Sequence, residues 1–555
     1  MGAALQNRQG FRLFRVARLA ALPGLAAVFP ILSFYSDNAS VVAPTRVIFP
    51  TLLAAAGGLL VFALFLGLCR SPSKGALVGT AFVVLFYMYR VFIPAAHSAE
   101  VGSETQLLVG AGLFFLLAVF VTAFAVYARS TKRSFDLAAD VLFIVAAFTC
   151  VMPVASVLSQ GVLFASAMPT RVSAQPAGET EPDVNPDIYY VILDGYSRSD
   201  VLSRIYNVDN TAFLGELERR GFFIAKQSRS NYLQTLPSLA SSMNGAYLDE
   251  LAAVQGSSSN RLPLTEMVKN NWAMKYLRDH GYALVNIESG FECTSPNPNV
   301  DVEMDLGYTV LGEFEAHLVR MTPLDEFNGG RQSDLLTVER NRVLRQFEAL
   351  AKVPDLGKPR FVMCHIVSPH PPFVFDEAGQ VPAKSDPSNS RDASHFRGTS
   401  EEYQRGYGGQ VKFLNRRLLE VIDSILADAD PGNPPVIIVQ GDHGGGSLYD
   451  QEHEENSLLW ERASILNAYL VPRSVTSRLY LSITPVNSFR ILFNGLFGAQ
   501  LEQLPDRTFY STWSTPYVFA ELSEDQLSPT RPLTDANRPL GHSGYASDFR
   551  LRSAE

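Results

Sequence analysis

Cysteine is scarce. Four thiols in 555 residues are too few for a disulfide scaffold. Cys69 and Cys150 fall in or beside apolar stretches, whereas Cys293 and Cys364 would be able to pair in an oxidising compartment. Cys364 sits inside the apolar run Phe361-Val362-Met363-Cys364, so a buried, inert thiol is the expectation there. Positive charge is also short, with 46 Lys and Arg against 55 Asp and Glu, a net charge of −9. Residues 1–160 hold 11 basic and 5 acidic side chains, and the remainder hold 35 and 50. An acidic second part argues against nucleic-acid binding. No internal repeat and no low-complexity tract is evident.

Charge of either sign is thin in five stretches before residue 160, at about 16–35, 47–68, 75–94, 106–127 and 137–158. A run of ~20 apolar residues spans a bilayer as a helix. Pro23 and Pro30 break the first stretch, which taken alone reads as a signal peptide; four further spans favour a multi-pass domain with an uncleaved first helix. Arg8, Arg12, Arg15 and Arg18 precede span one, Arg70 and Lys74 follow span two, and Arg129, Lys132 and Arg133 follow span four. The alternate loops carry Asp37 and Arg46, then His97, Glu100 and Glu104. The positive-inside rule then places the amino terminus in the cytoplasm and everything after span five outside. Arg90, at the outer end of span three, is expected to snorkel to the interface. Residues 1–160 thus form a membrane domain, 161–186 a small, polar, Pro-rich linker, 187–510 a catalytic domain and 511–555 a C-terminal extension.

The catalytic part alternates strand-like and helix-like patterns. Apolar runs at 188–193, 282–287, 360–366 and 435–439 read as strands, and 211–220, 264–280, 338–352 and 402–427 as helices. The fold class is α/β, a mostly parallel sheet flanked by helices on both faces. Val191-Ile192-Leu193 leads into Asp194-Gly195, and Val436-Ile437-Ile438-Val439 leads into Gly441-Asp442-His443-Gly444. Ligands in such sheets bind past the carboxyl ends of the strands, so two acids and an imidazole converge there as a metal site. Thr235 stands at a Pro237-led helix start in Ser230-Asn231-Tyr232-Leu233-Gln234-Thr235. A hydroxyl there meets the positive helix end and an anionic ester, and a bound cation would make it a nucleophile.

These residues resemble the alkaline phosphatase superfamily, in its sulfatase-like branch with lipoteichoic acid synthases and phosphoglycerol transferases. The matching parts run in order over roughly residues 186–510: the strand-end Asp194, the hydroxyl of Thr235, His365-x4-His370-Pro371-Pro372-Phe373, and Gly441-Asp442-His443-Gly444. Sulfatases that mature a Cys or Ser to formylglycine use Cys/Ser-x-Pro-x-Arg, whereas this chain has Thr235-Leu236-Pro237-Ser238-Leu239. Threonine cannot yield formylglycine, and lipoteichoic acid synthases and phosphoethanolamine transferases keep threonine. Those two families usually have Glu where Asp194 stands, and the formylglycine sulfatases have an acid pair where Gly195 follows.

The resemblance implies one divalent cation, Mn, Mg, Ca or Zn, on Asp194, Thr235, Asp442 and His443, with too few further ligands for a second. It implies Thr235 as nucleophile and His370 on the substrate phosphate. Asn231, Ser238, Glu288 and His453 are candidate substrate contacts, while His365, Arg462 and Asn467 read as structural. A multi-pass anchor suits a lipid-linked donor. The expected function is transfer of a phospho-alcohol head group from a membrane phospholipid to an envelope glycan or lipid through phosphothreonine. The expected location is the inner membrane, with the catalytic domain periplasmic or extracellular. The alternatives are a membrane-anchored phosphodiesterase or sulfuric ester hydrolase, or a non-catalytic envelope-assembly protein.

Overall fold

The structure, a computed structural model, describes residues 2–40, 42–89, 103–159, 185–307, 313–324, 332–382 and 392–529. Arg90, His97, Glu100, nearly all of the 161–186 linker and residues 530–555 lie outside the described residues. The chain forms two compact units, one from residues 1–164 with 311–332, the other from 165–310 and 333–548.

The first unit is helical: α1 Gly2–Asn38, α2 Pro44–Cys69, α3 Pro72–Tyr87, α4 Ser103–Ser130 and α5 Asp136–Ser159. α1 runs unbroken through Pro23 and Pro30, because neighbouring helices compensate a proline's missing donor in an apolar surround. Among the described residues, Phe14–Asn38, Pro44–Cys69 and Asp136–Ser159 are long and apolar enough to cross a membrane, whereas Pro72–Tyr87 and Ala118–Ser130 are shorter. α3 therefore stops short of the expected 75–94 span. Leu52, Leu60, Ile144 and Phe148 are each more than half exposed. Such continuous apolar surface suits lipid, not water. At one end Arg15 pairs with Asp136 at 2.7 Å, Arg18 pairs with Asp140, and Lys74 Nζ donates to Thr131 O at 2.7 Å. A helix from later in the chain, Glu313–Arg320, belongs to this unit. Phe314 stacks on Phe34 at 5.4 Å, and Arg46 pairs with Glu315 at 2.7 Å.

The second unit is built on a seven-stranded sheet of order β2-β7-β6-β1-β5-β3-β4. The strands are β1 Ile188–Leu193, β2 Phe223–Ile224, β3 Ala283–Ile287, β4 Val302–Met304, β5 Arg360–Ile366, β6 Val436–Gly441 and β7 Asn467–Leu470. β1, β3, β4, β5 and β6 run parallel, while β7 is antiparallel to β6 and β2 to β7. Period-two alternation splits β1 between two cores. Tyr189, Val191 and Leu193 enter one. Ile188, Tyr190 and Ile192 enter the other, with Leu236, Leu239 and Met243 of the helix Thr235–Asn244. Burial on both faces accounts for the near-continuous apolar strands. The expected helix over 264–280 is two helices, Leu262–Lys269 and Trp272–Asp279. Asn271 breaks it by capping the second, accepting from Met274 N at 2.8 Å. Cys293 and Cys364 are both buried thiols.

Candidate active site

The register brings the site together. β1 lies between β6 and β5, with Leu193 opposite Gly441 and Ile192 opposite His365. Asp194 and the pair Asp442-His443 therefore leave neighbouring strands at one edge. Gly195 turns the chain there at φ +74°, and its N–H donates to Asp442 Oδ1 at 2.9 Å. The His443 loop lies against the helix Leu459–Ala463, so closely that a Cβ on Gly444 would stand 2.2 Å from Glu461 O. Burial raises the Glu461 pKa. Its side chain takes hydrogen bonds from Ser447 N at 2.9 Å, Ser447 Oγ at 2.6 Å and Leu448 N at 2.9 Å, fixing that loop.

Thr235 opens the helix Thr235–Asn244, with extended Gln234 before it. Ser230 and Ser238 each donate a hydroxyl to Asp442 O at 2.6 Å, joining the nucleophile segment to the metal-ligand loop. Thr235 Oγ1, fully buried, lies 3.1 Å from His443 Nε2. His443 Nδ1 lies 2.9 Å from Gly444 O, so that nitrogen donates and Nε2 offers its lone pair. Burial, and then the Arg462 guanidinium, hold the His443 pKa down. His443 Nε2 is 3.6 Å from Asp194 Oδ1 and 3.4 Å from Asp442 Oδ2.

Asp194, Asp442 and His365 each present one ligand atom, all within 4.8 Å of one another. Asp194 Oδ1, Asp442 Oδ2 and His365 Nε2 are buried and make no hydrogen bond among the described residues. Burial works against ionisation of Asp194, but His370, His365 and His443 outweigh it and bring its pKa to about 2. Buried carboxylate and imidazole atoms without partners fit a divalent cation. Behind them is a second layer. Arg462 donates through Nη2 to His443 Nε2 at 3.1 Å and through Nε to Leu233 O at 2.9 Å. Arg462 also pairs with buried Asp392, to which Tyr403 donates. Burial opposes the Asp392 charge, but Arg462, then His370 and His443, hold its pKa well below the usual carboxylate range. His370 is tied in by its backbone N–H to Asp194 O at 3.1 Å. Its Nδ1 lies 2.7 Å from Pro371 O and its Nε2 3.9 Å from Asp392 Oδ2.

Of the residues singled out in the sequence, Asp194, Thr235, His370, Asp442 and His443 come together. Asn231 has both ends of its amide bonded within the protein: its Oδ1 accepts from Val486 N at 2.8 Å and its Nδ2 donates to Arg507 O at 2.8 Å. Glu288 accepts from Leu306 N at 2.8 Å, at the end of β3. The His453 side chain is 59% exposed, 3.7 Å from Glu455, and is not brought to the site. Asn467 donates to Ser228 Oγ at 3.1 Å, a structural role as expected. His365 and Arg462, whose sequence context reads as structural, and Asp392, which no sequence pattern marks, also lie at the site.

Residues 186–471 match the family model described as Sulfatase. Similar solved structures include the C-terminal periplasmic domain of EcEptC from Escherichia coli in complex with Zn, at 13% identity over 65% of this chain and 99% of that one, TM-score 0.41. The integral membrane protein lipooligosaccharide phosphoethanolamine transferase A from Neisseria meningitidis matches at 12% identity over 84% of this chain and 95% of that one, TM-score 0.35. A Bacteroides thetaiotaomicron structure titled for glycosaminoglycan metabolism matches at 16% identity over 59% and 80%, TM-score 0.36. No curated protein sequence matches.

Proposed function

The chain belongs to the sulfatase family, and from that premise we propose that it transfers a phospho-alcohol head group from a membrane phospholipid to an envelope glycan or lipid, through a phosphothreonine on Thr235. The observation that carries the proposal is the buried Thr235 hydroxyl at a helix start, 3.1 Å from His443 Nε2, where formylglycine chemistry has no cysteine or serine to work on. Apolar helices long enough to cross a membrane suit a donor whose acyl chains stay in the bilayer. They also suit a periplasmic or extracellular catalytic domain on an inner-membrane anchor.

Asp194, Asp442 and His443 would hold a divalent cation with Thr235 beside it. When bound, such an ion polarises the phosphoryl oxygens and favours ionisation of the hydroxyl. Thr235 Oγ1 attacks phosphorus in line, and the bond from phosphorus to the glyceride oxygen breaks. The Thr235 proton passes to that leaving oxygen, giving diacylglycerol. His370 Nε2, 3.9 Å from Asp392 Oδ2, is placed to hydrogen-bond a phosphoryl oxygen. An acceptor hydroxyl then attacks the phosphothreonine, and Thr235 regains a proton as it leaves. The Thr235–Asn244 helix start contributes its backbone N–H groups to the anion.

The test is intact-mass measurement of the full-length protein after incubation with total membrane lipid. A covalent adduct of phospho-alcohol mass on Thr235, absent in Thr235→Ala, is the expected result, with turnover in that variant down at least ~10³-fold. Rapid sulfate release from a sulfate ester with no phosphodiester activity would replace the proposal with ester hydrolysis.

A further inference from the structure

His365 reads as structural in sequence, yet its position asks for a charge. It is the sixth residue of β5 Arg360–Ile366. Phe361 and Met363 enter the core that holds the Thr235–Asn244 helix. Strand alternation carries His365 to that same face, where Phe291 meets its ring edge-on at 5.5 Å. Its Nδ1 lies 3.1 Å from Thr294 Oγ1. The Thr294 hydroxyl also lies 3.3 Å from Phe291 O and 2.8 Å from Ser289 Oγ; with its proton on either of these it accepts from Nδ1, and Nε2 is left with its lone pair. That Nε2 stands 3.3 Å from Asp194 Oδ2, and both face Asp442 within the 4.8 Å cluster. A proton on His365 would answer one carboxylate and leave Asp442 Oδ2 alone. One cation among the three answers all of them. Gly195 gives no acid to this side: at φ +74° an L side chain is strained, so the ligand arrives from the next strand instead of the next residue.

We infer that His365 Nε2 is a ligand of the cation held by Asp194 and Asp442, an inference that rests on the metal-dependent reading above. The site then joins two carboxylates to the imidazoles of His365 and His443, a donor set that selects a zinc-type transition ion over Mg²⁺ or Ca²⁺. Thr294 is the outer partner that fixes the His365 tautomer.

The experiment strips the full-length protein of metal, reloads it with one equivalent of Cu²⁺ and counts coordinated imidazoles by pulsed electron paramagnetic resonance. Zn²⁺ and Mg²⁺ affinities are measured by competition on the same samples. Two imidazoles are expected in the wild type, and one in each of His365→Gln and His443→Gln. His365→Gln should lose Zn²⁺ affinity about 100-fold or more while Mg²⁺ affinity changes far less, and Thr294→Val should lose Zn²⁺ affinity about 10-fold with the count intact. One imidazole in the wild type, lost only in His443→Gln, overturns the assignment and leaves the metal site standing. A folded wild type that retains no ion overturns the metal-dependent reading itself. Should His365→Gln not fold, the wild-type count and Thr294→Val still decide.

Discussion

At the scale of single residues, Asp392 shows how the site is held. It and Arg462 are each about 1% exposed, a buried ion pair whose partner also steadies His443. Removing one member of such a pair leaves an uncompensated charge and costs about 3–5 kcal/mol. Asp392→Asn should therefore lower unfolding stability at pH 7 by that amount. The pH dependence has a definite sign. The folded-state pKa of Asp392 is depressed below its ordinary 3.8, so its contribution is complete above that value and is lost as pH falls through the folded pKa. Denaturant titrations at pH 7 and pH 3 should show a smaller difference in Asp392→Asn than in the wild type; equal stability of the two proteins at pH 7 would remove the pair from the account. Little of this was legible in the sequence, because Asp392 precedes no apolar run and sits in a polar segment. His365 was readable in principle, since counting by twos from Phe361 puts it on the Thr235 face. What misled was an imidazole inside an apolar strand, which in isolation looks like packing.

At the scale of elements, the strands were the legible part. β1 and β5 begin and end where the apolar runs do, and β6 ends two residues later than its run. Burial on both faces writes such strands directly into composition. The strand-end acids followed, because parallel strands deliver their carboxyl ends to one edge. The pattern over 264–280 is interrupted by two asparagines in sequence, and Asn271 caps the second helix there. Asn231 is a related case: its neighbours in sequence suggest a substrate contact, while long-range packing uses both ends of its amide. It fastens the segment before Thr235 to the start of the helix Pro485–Phe497 and to the backbone at Arg507. Asn231→Ala should cost about 1–3 kcal/mol for each buried group it leaves without a partner, with turnover per folded molecule within about twofold of wild type. A tenfold rise in KM at unchanged stability would return Asn231 to the substrate.

At the scale of the whole molecule, apolar runs exposed the membrane helices, but not the part that a later segment plays among them. Nothing in Glu313–Arg320, a short amphipathic stretch, distinguishes it in sequence from a helix of the catalytic domain. Its stacking on Phe34 and the Arg46–Glu315 ion pair go with the first unit. A fragment of residues 187–555 should keep slow turnover of small soluble phosphodiesters, because the site lies within its own sheet. It should transfer from bilayer lipid far more slowly than the full chain, because the donor's local concentration is lost. Equal rates on bilayer lipid would reduce the helices to an anchor. The same segment has a consequence for how the protein comes apart. Glu313–Arg320 belongs to the first unit although the sheet strands before and after it belong to the second, so a protease that nicks only the 161–186 stretch leaves that segment's attachment in place. The nicked catalytic fragment should still sediment with membranes and come off only when detergent dissolves the Phe34–Phe314 stack, as a clasp opens after the cord beside it is cut.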